Sequence, residues 1–383
     1  MKNIIFISYS FGGNIPVGVG SLRIAKAMIQ HGYRIFVVTE TDFHSEDCSI
    51  IVRRVTNTPR LPFRVSSYIS NLLQKELFYY SWERKAKSEV KKLVRKYNIH
   101  AIYTRSTPIC VCPVGIYAKE RFRLPLIMHF TDPIPAPEGW VPDPKYRKRM
   151  IKQMGRYLSF ADNVSFGNER MLAYQERVLS CHFGAKAFIS PDPCAEGSVT
   201  VPFVERNPEQ LTLVFLGNVY GNRNPAPLLA SLNSFPIKQV HFVIYGNKFD
   251  NAPDFVEFRG RTNNIQDALR ESDVLVDIDG DDETPVFISS KLKDYLSINR
   301  PILSISPLNS PSRDLLDGLK TVEIVKNNDQ EISSALYKIV ETNYKDEDFN
   351  ERLEILKKFS APIIAKEIAT RIKVLCNKSI NNQ

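Results

Sequence analysis

Two rhythms alternate along the chain. Short continuous apolar runs occur at Asn3–Tyr9, Arg34–Thr39, Ser49–Val55, Ala101–Arg105, Leu124–Phe130, Asn163–Asn168 and Ala185–Ser190. Runs of that length, rich in Ile, Val and Phe, read as strands buried on both faces. Between them the apolar spacing widens to that of a helix, at Leu22–Gln30, Phe63–Tyr97, Val114–Phe122, Pro144–Ala161 and Glu169–Leu179. The stretch Asp192–Glu209 has little periodicity and carries Pro193, Pro202 and Pro208, so it reads as a linker.

Beyond it the alternation restarts. Strands are expected at Leu211–Leu216, Val240–Tyr245, Phe255–Phe258, Val274–Ile278, Ile302–Ile305 and Thr321–Val325. Helices are expected at Pro227–Ser234, Ile265–Glu271, from Ser289 to Asn299, at Arg313–Leu319 and at Gln330–Glu341. A last helical pattern, Phe349–Leu375, is interrupted at Pro362, where a kink is expected. Strands separated by helices predict an α/β fold with mostly parallel, doubly wound sheets.

Length and composition then bound the class. At 383 residues the chain exceeds one ordinary core, so two domains are expected, residues 1–200 and 205–360. Apolar residues at 43% and charged residues at 24% are those of a water-exposed globular protein. No apolar run has the length of a membrane span, and Ile4–Ile7 is too short for a signal peptide, which predicts a cytoplasmic protein. The 6 cysteines have neither metal-ligand spacing nor a disulfide framework. A net charge of +9 points to an anionic partner. No nucleic-acid recognition motif accompanies it, which leaves phospholipid headgroups and a nucleotide diphosphate as the better candidates.

Candidate chemistry gathers in a few stretches. In Thr284–Leu303, Ser289 and Ser290 precede a helical pattern that buries Leu292, Tyr295 and Leu296 and carries Lys291 and Lys293 in its first turn. Lysines are disfavoured at that positive end of a helix unless a shared anion binds there. The competing reading is a surface helix with solvated lysines. Asp294 lies on the side of Lys291 and can accept from sugar hydroxyls. At the start of the chain, FGGNIPVGVGS follows a strand and opens a helix, and Gly12 and Gly13 there let backbone amides approach an anion. His129 and Asp132 stand at a strand end, where ligands of open α/β sheets collect. Gly217, Asn218 and Arg223 follow the first strand of the second half, and a guanidinium there suits a diphosphate. Arg261 follows Gly260 before a helix. Lys145, Arg147, Lys148 and Arg149 surround an apolar stripe and form the candidate surface for a membrane or a lipid-diphosphate acceptor. The acids Asp277, Asp279, Asp281, Asp282 and Glu283 fit no metal spacing and read as a flexible loop.

The sequence Ser290-Lys291-Leu292-x-Asp294-Tyr295-Leu296, followed by Pro301-Ile302-Leu303, resembles the donor-binding segment of the retaining glycosyltransferases of family four. The resemblance implies a GT-B fold, two Rossmann-like domains facing across a cleft, with a helix at 362–380 returning to the first. It implies transfer of a sugar from a nucleotide-diphosphate sugar to a glycan or lipid-linked acceptor, with retention and without a metal or other cofactor, as in cell-surface polysaccharide synthesis. Arg223 and Lys291 would clamp the diphosphate and Asp294 the ribose, with the amides after Ser289 adding to the clamp. Backbone groups at Gly260-Arg261 would hold the base. The Gly12-Gly13 loop would meet the donor phosphate and the Asp132 loop the acceptor. An earlier glutamate of the family's pair is replaced here by Val286. A sugar-nucleotide 2-epimerase on the same fold, or a non-catalytic nucleotide-sugar-binding partner, are the alternatives.

Overall fold

The computed structural model describes residues 1–13, 15–73, 76–141, 143–194, 202–219, 221–262 and 264–381. The middle of the expected linker, residues 195–201, lies outside them. The chain divides into two compact units, Met1–Pro193 with Phe359–Gln383, and Cys194–Lys358.

The first unit runs β1 (Lys2–Ser8), α1 (Pro16–Gln30), β2 (Tyr33–Thr39), β3 (Ile50–Arg54), α2 (Phe63–Leu73), α3 (Tyr80–Lys96), β4 (Ile99–Arg105), α4 (Cys112–Phe122), β5 (Leu126–Phe130), α5 (Pro144–Phe160), β6 (Asn163–Phe166), α6 (Glu169–Leu179) and β7 (Ala187–Ile189). Its strands form one sheet in the order β3-β2-β1-β4-β5-β6-β7, every pairing parallel. The continuous apolar runs follow from burial on both faces. Ile5, Ile7 and Phe36 face the layer of α3 and α4, while Ile4, Phe6 and Ile35 face α1. Burying each such side chain contributes about 1.5–3 kcal/mol. Helix starts are set by local capping: the Asp143 carboxylate accepts from the Lys145 amide at 2.9 Å, with Pro144 at the first helical position, and Asn168 accepts from Met171 at 2.8 Å. The pattern from Phe63 to Tyr97, read as one helical region, is two helices.

The second unit runs β8 (Gln210–Leu216), α7 (Ala226–Asn233), β9 (Gln239–Tyr245), β10 (Val256–Phe258), α8 (Ile265–Arg270), β11 (Val274–Ile278), α9 (Leu292–Tyr295), β12 (Ile302–Ile305), α10 (Pro311–Leu316), β13 (Val322–Val325), α11 (Asp329–Glu341) and α12 (Asn350–Lys357). Its sheet, again parallel throughout, has the order β10-β9-β8-β11-β12-β13. Two buried guanidiniums serve as internal staples. Arg352 donates to the carbonyls of Ile298 at 3.0 Å, Arg300 at 2.7 Å and Thr321 at 2.6 Å, and Arg300 donates to Ser272 at 2.8 Å.

The segment from Ser289 forms only one helical turn, α9, in place of the longer helix its periodicity predicts. The Ser297 hydroxyl and amide both bind the Asp294 carbonyl, at 2.6 and 3.2 Å, which closes the turn and ends the helix. Pro362 is likewise not a kink. It lies in the first turn of a separate helix, α13 (Ala361–Asn381), where its missing N–H costs nothing. Helix α13 packs on α1, with Ile364, Ala365, Ile368, Ala369 and Ile372 buried in the same cluster as Ile24, Ala25 and Met28. Among the described residues no helix is long and apolar enough to cross a membrane.

Candidate functional site

Each sheet has one place where neighbouring strands send their connections to opposite sides, between β1 and β4 in the first unit and between β8 and β11 in the second. The carboxyl ends of strands at such a switch point leave a crevice, and open α/β sheets bind ligands there.

In the second unit the switch point carries most of the donor candidates. Gly217 follows β8 with φ +133, and a side chain on Gly246 would run into its carbonyl. Only glycines allow the turns after β8 and β9 to approach so closely. Asn218 holds the pair by accepting from the Asn247 amide at 2.8 Å. Arg223, half-buried, donates to the Asn218 carbonyl at 3.4 Å. Its charge is felt by Asp277, Asp279 and Tyr295, which places the guanidinium among the ends of β8, β11 and α9. Tyr295, fully buried, ties α9 to the sheet by accepting the Leu216 amide at 2.9 Å. Ser289 is buried and donates to Asp277. Ser290 is exposed, Lys291 caps α9, Leu292 is buried core, and Lys291 and Asp294 are half-exposed.

Two members of this constellation were not foreseen. Asp277 and Asp279, assigned from the sequence to a flexible acidic loop, are 2% and 9% exposed. Asp277 is a strand residue paired with Ser304, and Asp279 accepts from Ser312 at 2.8 Å. Burial raises both carboxyls above the usual range. The Asp279 charge adds to the rise at Asp277, while Ser289 and Arg223 oppose it there. One oxygen of Asp277 has no hydrogen-bond partner. A raised carboxyl beside Arg223 leaves less negative charge there to compete with an anion. Among the described residues no three His, Cys, Asp or Glu side chains are grouped to hold a metal ion.

Arg261 is exposed on the loop after β10, two strands from β8 in the sheet order. Val286, at the place of the family's first acid, is 1% exposed and packed in the core.

In the first unit Gly12 and Gly13 have φ near +65, and the Gly12 amide donates to the Gly18 carbonyl at 2.8 Å, folding the glycine loop onto the start of α1. Behind it lies Arg105, the last residue of β4, wholly buried and ion-paired with Asp192. Its Nε and Nη1 have no hydrogen-bond partner. A lone buried arginine has no periodic signature, so neither Arg105 nor Asp192 was found from the sequence. His129 is 1% exposed, bonded through Nδ1 to the Ser165 hydroxyl at 3.0 Å and stacked on Tyr103. Burial and the Arg105 charge push its pKa down to about 3, so its imidazole is neutral. It is closed off from solvent, and its Nε2 has no hydrogen-bond partner. Asp132 lies nearer the surface, half-buried, and accepts from Thr131 at 3.1 Å. Burial raises its pKa, with Asp192 adding to the rise and Thr131, Thr107 and Arg105 opposing it.

The basic cluster on α5 is split by the fold. Arg149 is 2% exposed, paired with Glu76 at 3.5 Å and lying over the Tyr146 ring. Arg147 is held by Glu138 at 3.4 Å and by the Ala136 carbonyl. Only Lys145 and Lys148 of the four are turned to solvent.

Neither a known family model nor a curated protein matches the sequence. Solved structures do match in shape. HepE of Anabaena, solved in complex with UDP, aligns over 98% of this chain and 100% of its own with a TM-score of 0.66 and 14% identity. WaaG, a glycosyltransferase involved in lipopolysaccharide biosynthesis, aligns over 96% and 99% with a TM-score of 0.61 and 11% identity. MurG of Acinetobacter baumannii aligns over 97% and 99% with a TM-score of 0.52 and 11% identity. The chain thus has the GT-B fold of these proteins, with two α/β units each built on a parallel sheet.

Proposed function

We propose that the protein is a glycosyltransferase that takes a sugar from a nucleotide-diphosphate sugar and transfers it, with retention, to a glycan or lipid-linked acceptor of a surface polysaccharide on the cytoplasmic side of the membrane. The observation that carries this reading is the convergence of Arg223, Asp277, Ser289 and Tyr295 at the β8/β11 switch point. One of the fold's relatives supports the ligand class: HepE was solved with UDP and with UDP-glucose.

In this reading Arg223 and Lys291 neutralise the diphosphate and Asp294 accepts from the ribose hydroxyls. As the glycosidic bond breaks, negative charge grows on the leaving diphosphate. Fixed cations aimed at that charge stabilise it, the role a metal ion fills elsewhere. The half-buried Asp132 is the acceptor-side acid, and with its pKa raised it is suited to take a proton from an attacking hydroxyl.

The test is thermal melting with nucleotides and nucleotide sugars in metal-free buffer, since a ligand of the folded state alone raises Tm. A nucleotide diphosphate should raise Tm in the parent and not in Arg223→Ala or Lys291→Ala. If every nucleotide leaves Tm unchanged, or both variants respond like the parent, the donor-site assignment is wrong.

A further inference from the structure

Helix α2 is built inside out. Its buried residues are Ser66 and Ser70, at 2% and 0% exposure, while Val65, Tyr68 and Leu72 stand 45%, 68% and 64% exposed. Those three, with half-exposed Ile69, follow the i, i+3, i+4, i+7 spacing of a single helical face. Elsewhere such a stripe turns to a core. Here it turns to water, and seven of the fourteen large apolar side chains exposed among the described residues lie between Leu61 and Tyr80.

The roll of the helix is fixed by its serines. Ser66 Oγ donates to the Leu61 carbonyl at 3.2 Å, and Ser70 Oγ accepts the Leu77 amide at 3.1 Å. Half a turn of rotation would bury Tyr68 and Leu72 but would break both bonds and leave the polar groups facing the wrong way.

Charge identifies what covers the stripe. Helix α2 contains no acid, Arg60 precedes it and Arg64 lies in its first turn, both exposed. Its C-terminal end is joined to the start of α5 by Asn71, which donates to Asp143 at 3.1 Å, and the exposed Lys145 and Lys148 lie on the first turns of that helix. The acids nearby are engaged: Glu76 with Arg149, Glu138 with Arg147, Asp143 with Asn71 and the Lys145 amide. An apolar face with aromatic and leucine side chains, bordered by bases, is the composition of a helix lying in the headgroup region of an anionic bilayer.

We infer that the α2 face, Val65, Tyr68, Ile69 and Leu72 with Arg60 and Arg64, docks the protein on an anionic lipid surface. This stands on the α2 surface and is independent of the reaction proposed above. It adds α2 to the exposed Lys145 and Lys148 of the α5 cluster to which the sequence pointed.

The experiment is co-sedimentation of the full chain with vesicles of phosphatidylcholine alone and of phosphatidylcholine with phosphatidylglycerol. The parent should bind the anionic vesicles, more weakly as salt rises. Tyr68→Ser/Leu72→Ser and Arg60→Gln/Arg64→Gln should each lower the partition coefficient about tenfold. Because these side chains are exposed, Tm should stay at the parent value. Tyr68→Trp gives an independent readout, a blue shift of emission on adding anionic vesicles that the parent lacks. Parent-like partition of both double variants, or an unshifted Tyr68→Trp spectrum, overturns the inference. So does a parent that is dimeric by light scattering and becomes monomeric in Tyr68→Ser/Leu72→Ser, which would make the face a self-contact.

Discussion

The Leu216 amide, at the end of β8, donates to the Tyr295 phenol oxygen at 2.9 Å, and both residues are buried. That one bond joins the central strand of the second sheet to the single turn α9, where Lys291 and Asp294 stand. Tyr295→Phe removes the acceptor and leaves a buried N–H unpaired, at a cost of about 1–3 kcal/mol. Tm should fall and nucleotide binding should weaken together, which melting and titration calorimetry check. A variant that melts and binds as the parent does would show that α9 is held by packing alone.

His129 predicts a pH effect on stability. Its folded-state pKa is held at about 3 by burial and by Arg105, below the ordinary histidine value of 6.5. Between those values the unfolded chain carries a proton that the folded chain does not. Stability from this group is therefore complete above the unfolded value and is lost as pH falls toward 3, by up to about 1.4 kcal/mol per pH unit. Denaturant titrations should show a shallower acid slope for His129→Gln than for the parent. Equal slopes would mean that the imidazole is not shielded.

Asp277 predicts a pH effect on binding. Its carboxyl is raised above the carboxylate range by burial and by Asp279, and Arg223 and Ser289 oppose the rise. Losing its proton adds a negative charge beside the guanidinium that the diphosphate is proposed to use. Affinity for a nucleotide diphosphate should fall as pH rises through neutrality, and Asp277→Asn should flatten that dependence. Calorimetry between roughly pH 6 and pH 9 reads this directly, over the window where a raised carboxyl titrates. The same fall in both proteins would exclude Asp277 as its source.

The glycine loop yields a steric contrast. A Cβ on Gly18 would collide with the backbone of Gly12, whereas one on Gly13 would meet nothing within 4 Å and face only a φ of +66. Gly18→Ala should cost about 1–3 kcal/mol through overpacking. Gly13→Ala should cost only about 1 kcal/mol, the backbone penalty. Denaturation midpoints give the order, and a reversal would mean the loop is not folded back on α1.

The strands and the parallel architecture were legible because apolar runs such as Asn3–Tyr9 and Val274–Ile278 are long enough to declare burial on both faces. Three features were not, and each depends on partners distant in sequence. Asp277 and Asp279 look like a solvated run until β12 and Ser312 are in place. Arg105 and Arg352 are single cations with no spacing to reveal that a carboxylate or three carbonyls await them. In α2 the periodicity was readable but its direction was not, since two serine hydrogen bonds decide which face turns inward.

The docking of α13 on α1 sets an order on biosynthesis. The apolar side of α1, with Ile24, Ala25 and Met28, has its cover in Ile364, Ile368 and Ile372, more than three hundred residues later. A ribosome adding roughly 5–20 residues per second needs on the order of ten seconds or more to pass from the first unit to α13. Throughout that interval the nascent first unit carries an unfinished apolar surface, while the second unit is already whole at Lys358. Chains halted shortly before α13 should therefore be clients for holding chaperones through their oldest part rather than their newest.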